Sequence, residues 1–384
     1  MGVRFVHTAD VHLDVPLSHL SLSPAKLAQR RAEYRETVAR IFQLAQEKGA
    51  HLILIAGDWF EHDLVQKSTI SFLRELCTRV APIRVFIAPG NHDPALPDSY
   101  YRTVEWPENV HVFGGDWETV YLPELDCAVH GYGFDRYAVT ESVVRAFENP
   151  VPEARHHIMV VHASLVQSEH AGEHDPYLPV TVEELAATGV DYVALGHIHK
   201  GQKIPHPAEP SRVLAAYPGS PEGLGWKEQG VRTVLYGELT ERGVKLETLP
   251  VSRRAYVVRD VDVSGCETPE AVLERVMRQI REENRESLLR LRLVGQVDPA
   301  LAVEVGWLRE RLADAFFAVD VVSDVRPAYD VQQFAQEPTV IGGFVREALR
   351  RIDEAPDERE KRLWTDALHA VLDLHAYGRL VERG

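Results

Sequence analysis

Residues 83–93 of this chain read IRVFIAPGNHD. The apolar run 83–88 is followed within a few positions by the polar residues Asn91, His92 and Asp93. A short run rich in Val and Ile is typical of a buried strand in a sheet that is covered on both faces. In open α/β sheets, ligands bind just beyond the carboxyl ends of the strands. The stretch therefore predicts an α/β fold with ligand-binding side chains at the edge of a sheet.

Four further apolar runs end in the same way, in residues whose side chains commonly bind metal. The run 5–6 precedes Asp10 and His12, 52–56 precedes Asp58, 158–161 precedes His162, and 192–195 precedes His197 and His199. We expect all of these runs to bring their carboxylate, imidazole and amide groups to one edge of one sheet. The set is large enough for two ions, and mixed nitrogen and oxygen ligation without thiolate suits Mn, Fe or Zn.

Two divalent ions roughly 3.5–4 Å apart are suited to in-line displacement at phosphorus, because they activate a water and neutralise charge on the phosphate oxygens. The reaction also needs an acid near the leaving oxygen. His92 is the natural candidate, since it is adjacent to Asn91 and need not bind metal itself. Asp93 is expected to orient His92, as carboxylates near metal sites hold imidazoles.

Length and composition set limits on the class of protein. A chain of 384 residues predicts two or three domains. No apolar stretch approaches the ~20 residues that a membrane helix needs, so we expect no membrane association. The cysteines Cys77, Cys127 and Cys266 are widely separated, which favours free thiols and a cytoplasmic protein. The formal net charge of −16 argues against unaided, sequence-independent DNA binding, although bound metal ions would still attract a phosphate.

The sequence pattern changes near residue 255. Up to that point, strand-like runs alternate with helical segments, which predicts one α/β domain over residues 1–255. Residues 256–332 follow the order β-α-β-α-β and predict a small α+β domain. Residues 333–384 contain two amphipathic helical patterns, 340–352 and 361–374, which either pack on the rest of the chain or dock a partner.

Two helix starts are marked by capping signals. Ser23 precedes Pro24, which suits the first turn of a helix, and Gly49 suits the end of that helix. Thr181 has Glu184 three positions later, the pattern of a capping box. These signals predict helices that begin just after Ser23 and just after Thr181.

The order Asp-x-His, Gly-Asp, Gly-Asn-His-Asp, His, Gly-His-x-His resembles the calcineurin-like metallophosphoesterase superfamily. The resemblance implies a four-layer α/β/β/α sandwich and a centre with two divalent metal ions, of which we expect manganese. The first ion would be held by Asp10, His12, Asp58 and His199. The second would be held by Asp58, Asn91, His162 and His197, with His92 catalytic.

The flanking residues are similar to the SbcD-type DNA repair exonucleases, and closest to the bacterial YhaO branch. The similarity rests on residues 7–13 (HTADVHL), 57–60 (GDWF), 195–200 (LGHIHK) and 217–221 (YPGSP). It implies a DNA exonuclease that acts as a homodimer, with residues 256–332 as a capping domain. It also implies that C-terminal helices bind an SMC-like coiled-coil ATPase. The chain has no Gly-x4-Gly-Lys-Ser/Thr loop of its own.

Two other functions remain open at this point. The same set of metal ligands would suit a phosphoesterase that acts on small substrates, although such an enzyme does not need a capping domain. A scaffold that has lost its metals would lack ligands, whereas every expected ligand is present here. One position departs from the pattern of some relatives, because Glu61 stands where they place a histidine that is thought to help position the substrate.

Overall fold

Strands and helices alternate up to residue 103, as the sequence pattern predicts, whereas strands follow one another without a helix over 110–132 and over 192–262. The computed structural model describes residues 2–166, 177–298, 301 and 303–377. The chain divides into two compact units, Met1–Tyr256 and Val257–Gly384. The finer division into domains 1–255, 256–332 and 333–384 stays a prediction. Residues 1, 167–176, 299, 300, 302 and 378–384 of these predicted domains lie outside the described residues.

The first unit contains two large sheets and the helices that cover them. Its strands are β1 (Val3–Thr8), β2 (Leu52–Ile55), β3 (Arg84–Ile87), β4 (Val110–Val112), β5 (Glu118–Leu122), β6 (Cys127–Tyr132), β7 (His156–His162), β8 (Tyr192–Gly196), β9 (Gln202–Pro205), β10 (Val213–Tyr217), β11 (Thr233–Thr240) and β12 (Gly243–Pro250). Its helices are α1 (Pro24–Glu47), α2 (Lys67–Arg79), α3 (Tyr100–Thr103) and α4 (Val182–Ala187), with a short 3-10 helix at Val144–Ala146.

The two sheets have six strands each. The first has the order β12-β11-β1-β2-β3-β4, and the second has the order β5-β6-β7-β8-β10-β9. Strands β1 to β4 run parallel, as do β6, β7, β8 and β10. The prediction that all the ligand-bearing runs share one sheet is therefore wrong. Strands β1, β2 and β3 lie in the first sheet and β7 and β8 in the second, because an apolar run indicates burial but not which strand it pairs with.

The two sheets pack face to face, with helices on their outer sides. Phe5 and Leu54 of the first sheet share a buried core with Val160 and other residues of the second. Helix α1 packs against β1 and β2, and Leu185 of α4 packs with Val193 on the outer side of the second sheet. The predicted four-layer α/β/β/α arrangement is confirmed.

Both predicted helix starts occur in the structure. The Ser23 hydroxyl accepts a hydrogen bond from the Lys26 amide at 3.3 Å, and α1 begins at the next residue, Pro24. Thr181 and Glu184 form the reciprocal hydrogen bonds of a capping box at the start of α4. Gly49 follows the end of α1 with a φ of 59°, a left-handed conformation that glycine adopts without strain.

The second unit contains a smaller sheet and a group of helices. Its elements are β13 (Tyr256–Asp262, whose first residue ends the first unit), α5 (Pro269–Gln279), β14 (Leu288–Val294), β15 (Gln296–Val297), α6 (Val305–Leu312), β16 (Ala318–Ser323), β17 (Arg326–Pro327), α7 (Val331–Gln336), α8 (Val340–Asp353) and α9 (Glu358–Tyr377). Strands β13, β14 and β16 form a three-stranded sheet. Helices α7, α8 and α9 enclose a separate small core that includes Val345 and Leu368. Among the described helices, we find none whose length and apolar character would let it cross a membrane.

Candidate metal centre

The residues predicted as metal ligands lie together at the carboxyl ends of strands from both sheets. Residues Asp10 and His12 follow β1, Asp58 follows β2, Asn91 follows β3, His162 ends β7, and His197 and His199 follow β8. Among the described residues, three triads have ligand atoms within 4.8 Å of one another. Two consist of predicted ligands, Asp10 with His12 and His199, and Asp10 with Asp58 and His162, and the third is His12 with Glu61 and His92. The two sheets thus contribute to one site.

Further contacts place the remaining predicted residues in the same cluster. His162 Nε2 lies 3.0 Å from Asn91 Oδ1 and 3.4 Å from Asp58 Oδ2. His12 Nε2 lies 3.6 Å from the same Asp58 oxygen. The imidazoles of His162 and His197 have ring centroids 5.2 Å apart. Asp58 therefore lies between the two groups of ligands, as a bridging carboxylate must.

Several of these residues have backbone conformations that side chains seldom adopt. The φ angles of Asp10, His12, Asp58 and His197 are 54°, 50°, 53° and 101°. Such conformations cost about 1–3 kcal/mol each and persist only where the surroundings enforce them. Here the Asp10 amide donates to the Gly57 carbonyl at 3.1 Å, and the His12 amide donates to the Asp58 carbonyl at 2.9 Å. The loops after β1 and β2 thus hold each other in place.

Glycine is required beside the site for a steric reason. A Cβ atom at Gly90 would lie 2.3 Å from Asp58 Oδ1, and one at Gly57 would lie 2.4 Å from His162 Nδ1. Neither distance is compatible with a side chain. The glycines of the Gly-Asp and Gly-Asn-His-Asp motifs therefore let the loops approach closely enough to bring Asp58 and His162 together.

Unpartnered polar atoms at the centre of the cluster fit a bound cation. Among the described residues, Asp10 Oδ2 and His12 Nε2 are buried and have no hydrogen-bond partner. Buried polar atoms are almost always paired, because an unpaired one loses its hydration without compensation. A carboxylate oxygen and an imidazole nitrogen are suitable ligands for divalent metals. The donor set therefore fits the metal ions that the sequence predicts.

Each of three candidate imidazole ligands is oriented by a partner at Nδ1. His12 Nδ1 lies 2.7 Å from Glu61 Oε1, and His199 Nδ1 lies 2.9 Å from Glu228 Oε1. His162 Nδ1 lies 2.9 Å from the Ala56 carbonyl. Because these oxygens can only accept a hydrogen bond, the Nδ1 atoms carry the protons and the Nε2 atoms are left for a metal.

The cluster contains buried carboxyl groups that nearby positive charge would stabilise. Asp10, Asp58 and Asp93 are all buried. Burial raises the pKa of Asp10 and of Asp93. Burial acts in the same direction on Asp58, but the neighbouring imidazoles of His162 and His12 outweigh it and lower the pKa of that carboxyl. Divalent cations would stabilise the ionised form of these groups.

His92 lies at the exposed side of the cluster and is held by Glu61. Its side chain is 46% exposed, and its Nδ1 lies 3.0 Å from Glu61 Oε2. The hydrogen bond to Glu61 raises the pKa of His92 to about 9. Burial would raise the pKa of Glu61, but the hydrogen bonds from His12 and His92 outweigh it and lower that pKa to about 2. Glu61 thus joins a candidate metal ligand to the candidate acid.

Asp93 does not have the orienting contact that the sequence suggested. Its carboxylate accepts hydrogen bonds from the amides of Asp58 (2.9 Å), Trp59 (2.7 Å) and Gly90 (2.7 Å), and from the Tyr101 hydroxyl (2.7 Å). These bonds fasten the loop after β2 to the loop after β3. The expectation that Asp93 orients His92 is therefore corrected: Glu61 holds the ring, and Asp93 holds the backbone beneath it.

Sequence reasoning missed the positions of Glu61 and Glu228 relative to the imidazoles. In the sequence, Glu61 stands out only as a departure from some relatives, and nothing distinguishes Glu228. Glu228 lies 29 residues from His199 along the chain, on an irregular segment. A carboxylate three positions after the Gly-Asp motif is a weak signal for Glu61, and the sequence holds no comparable signal for Glu228.

Comparisons with known proteins agree with this geometry. Residues 3–201 match the family described as Calcineurin-like phosphoesterase. The chain is 29% identical over 305 residues to the uncharacterized metallophosphoesterase YhaO of Bacillus subtilis, covering 76% of this chain and 72% of YhaO. It is 24% identical to the DNA double-strand break repair protein Mre11 of Methanopyrus kandleri, covering 91% of this chain and 77% of that protein. It is 27% identical to a subunit of the nuclease SbcCD of Bacillus subtilis, covering 59% and 64% of the two chains.

Proposed function

Because the chain belongs to the calcineurin-like phosphoesterase family, we propose that it is a metal-dependent phosphodiesterase that degrades DNA from its ends. The resemblance to the SbcD-type branch near YhaO is confirmed by its relatives. The observation that carries the proposal is the position of Asp58, whose Oδ2 lies 3.6 Å from His12 Nε2 and 3.4 Å from His162 Nε2 within a cluster of overlapping ligand triads. In the proposed site, Asp10, His12, Asp58 and His199 would hold the first ion, and Asp58, Asn91, His162 and His197 would hold the second.

The chemistry of the bound ions and of the protein can be separated. Two divalent ions, manganese in this proposal, would activate a water and neutralise charge on the phosphate oxygens. The protein orients the ligands through Glu61, Glu228 and the Ala56 carbonyl. His92 is exposed beside the cluster, and its hydrogen bond to Glu61 favours the protonated ring. It is therefore placed to give a proton to the leaving oxygen.

The relatives support DNA as the substrate and a protein complex as its setting. The names of two of them describe DNA double-strand break repair and a component of a nuclease. We propose that this chain acts as a homodimer in the cytoplasm with an SMC-like ATPase, which binds α8 and α9. These helices carry exposed apolar side chains at Val340 (92%) and Leu363 (65%), which suits the docking of another protein.

The proposal can be tested by cleavage of an end-labelled linear DNA duplex in the presence of manganese. We expect the wild-type protein to release the label stepwise. His92→Ala should retain its metal and lose most of the turnover, because only the proton donor is removed. Asp58→Ala should lose metal from both sites together with all hydrolysis, because the bridging carboxylate is gone. Metal content of each variant is measured by elemental analysis.

The outcomes separate the leading function from its alternative. Intact DNA, together with rapid hydrolysis of a chromogenic phosphodiester, would support the small-substrate phosphoesterase instead. If turnover survives in His92→Ala, the assignment of the acid is wrong. If both metals survive in Asp58→Ala, the assignment of the bridging ligand is wrong.

A further inference from the structure

The segment between β10 and β11 holds the proposed ligand His199 at two points. Residues 219–228, which we call the 219–228 loop, read GSPEGLGWKE. Near its end, Glu228 accepts a hydrogen bond from His199 Nδ1 at 2.9 Å. Near its start, the Ser220 amide donates to the His199 carbonyl at 3.1 Å. The loop therefore determines both the ring orientation and the backbone position of His199.

The carboxylate of Glu228 is itself held by the loop. Its second oxygen accepts hydrogen bonds from the Ser220 hydroxyl at 2.5 Å and from the Leu224 amide at 3.2 Å. Arg232 donates to the Ser220 carbonyl at 3.1 Å and reaches the His199 carbonyl as well. Glu228 can hold His199 in one orientation only while the loop keeps this shape.

The sequence of the loop leaves its backbone with considerable conformational freedom. It contains three glycines and forms neither a helix nor a strand. Gly219 has a φ of 76°, and a Cβ atom there would lie 2.7 Å from the His199 carbonyl oxygen. Glycine gives the backbone many accessible conformations, so contacts from outside the loop must select one.

Glu222 provides several of these outside contacts, in addition to the Tyr34 hydroxyl, which donates to the Gly223 carbonyl at 2.7 Å. The side chain of Glu222 is 1% exposed. One oxygen lies 2.6 Å from Arg30 Nη2, and the other accepts from the Thr37 hydroxyl at 2.7 Å and from the Arg253 amide at 2.6 Å. Arg30 and Thr37 belong to α1, the long helix on the outer side of the first sheet. Glu222 thus fastens the middle of the loop to a rigid element.

The contact between Glu222 and Arg30 is part of a buried network of four charges. Arg30 also pairs with Glu33 at 3.3 Å, and Glu33 pairs with Arg254 at 2.7 Å. All four residues are at most 4% exposed. Buried ion pairs seldom stabilise a fold more than apolar residues of the same volume would, because desolvation offsets their attraction. We therefore assign to this network a role in fixing the geometry of the loop.

We propose that Glu228 and Glu222 are positioning residues for His199. Glu228 fixes the imidazole so that Nε2 is presented to the metal, and Glu222 fixes the loop that carries Glu228. The inference rests on the proposed two-metal site and extends it to residues outside the ligand set. Loss of a carboxylate that orients a ligating imidazole typically weakens metal binding about 10- to 100-fold.

Metal binding tests this inference without any substrate. Apo-protein is titrated with Mn2+ by calorimetry and with Co2+ by visible absorption, for the wild type, Glu228→Gln and the control Glu47→Gln. Glu47 is an exposed carboxylate at the far end of α1. We expect Glu228→Gln to weaken one of two metal equivalents about 10- to 100-fold and to change the Co2+ spectrum. The melting temperature of the apo-protein should be preserved, because the amide oxygen can still accept from Ser220 and Leu224 while its NH2 group donates to His199 Nδ1 in the other tautomer. Glu47→Gln should match the wild type.

The anchoring role of Glu222 is tested with a paired substitution. Glu222→Gln alone leaves Arg30 with a weakened partner and risks unfolding, so the double variant Arg30→Met, Glu222→Met removes both charges and leaves Glu33 paired with Arg254. We expect this variant to fold and to weaken the same metal equivalent as Glu228→Gln.

The measurements distinguish failure of this inference from failure of the proposed function. Two unchanged equivalents and an unchanged spectrum in folded Glu228→Gln would overturn the inference while the two-metal site stands. Unchanged binding in the folded double variant would overturn the role of Glu222. A wild-type protein that binds no metal would overturn the proposed function and this inference with it.

Discussion

Glu61 contacts both a proposed metal ligand and the proposed proton donor. One of its oxygens holds His12, a proposed metal ligand, and the other holds His92, the proposed acid. A change at His12 that follows metal binding would therefore reach His92 through a single carboxylate. Asp93, next to His92 in sequence, instead accepts bonds from three backbone amides and a tyrosine hydroxyl. The two carboxylates thus have separable roles, one in orientation and one in folding.

Substitution of Glu61 by Gln should lower turnover of a chromogenic phosphodiester about 10- to 100-fold, because His12 and His92 both lose their charged partner. The apo-protein should keep its stability, since an imidazole, unlike a backbone amide, can change tautomer and accept a hydrogen bond from the Gln NH2 group. Turnover and the midpoint of urea unfolding are measured together.

Asp93→Asn is the matched control for Glu61→Gln. Its amide group cannot accept bonds at both ends, so at least one buried N–H or O–H loses its partner. We expect this to lower the free energy of unfolding by about 1–3 kcal/mol. Normal stability in Asp93→Asn, or normal turnover in Glu61→Gln, would contradict the separation of roles.

At the scale of elements, α7, α8 and α9 form a core of their own. Val345 and Ala348 of α8 pack with Leu368 and Leu372 of α9. The Tyr329 hydroxyl adds a hydrogen bond to Asp373 at 2.7 Å. This small core is made by residues from 329 onward and is separate from the cores that contain the strands of the first unit.

Removal of residues 329–384 should therefore leave hydrolysis of a chromogenic phosphodiester within about twofold of the full chain. A twofold change corresponds to less than ~0.5 kcal/mol in the activation barrier. Binding of the ATPase partner should be lost. The full-length variant Leu363→Glu, which changes one exposed apolar side chain, is the control for docking. It should weaken binding of the ATPase partner and leave hydrolysis unchanged. A truncated protein that folds and is inactive would contradict this separation of elements.

At the scale of the whole molecule, the two sheets bury histidines that must stay neutral. His7 of β1 lies 2.8 Å from the Tyr192 hydroxyl of β8, across the space between the sheets. His130 of β6 lies 3.2 Å from His157. Burial lowers the pKa of His7 to about 3, and burial together with the nearby His157 lowers the pKa of His130 to about 4.

These shifts predict acid sensitivity of the fold. Above pH 6.5 both histidines are neutral in the folded and the unfolded chain, and they cost nothing. As the pH falls below 6.5 the unfolded chain takes up protons first, so stability is lost until the folded pKa values are reached. At pH 5 the loss is about 2 kcal/mol for each histidine.

Urea unfolding of the metal-free protein at pH 7 and pH 5 measures this loss. The wild type should lose about 4 kcal/mol more between the two pH values than the double variant His7→Gln, His130→Gln, because the variant lacks both titrating groups. The comparison of differences removes the contribution of the histidines that do not contact His7 or His130. Equal losses in the two proteins would show that these residues do not govern the acid response.

The sequence alone identified the strands that carry the proposed ligands and the starts of two helices. Every apolar run that precedes a proposed ligand is a buried strand, and the capping signals at Ser23 and Thr181 start real helices. Helix α2, in contrast, begins without a side-chain cap and has no such signal in the sequence. Burial, periodicity and capping are local properties, so they can be inferred from neighbouring residues.

The tertiary structure alone decided how the ligands meet and what orients them. An apolar strand looks the same in sequence whichever sheet it joins, so the division of β1, β2, β3 and β7, β8 between two sheets could not be inferred. Glu61 and His92 are 31 residues apart, and Glu228 and His199 are 29 apart. Which carboxylate reaches which imidazole depends on how irregular loops pack after folding. Side-chain type and spacing therefore specify which ligands are available, and the packing of two sheets and their loops specifies the geometry in which they act.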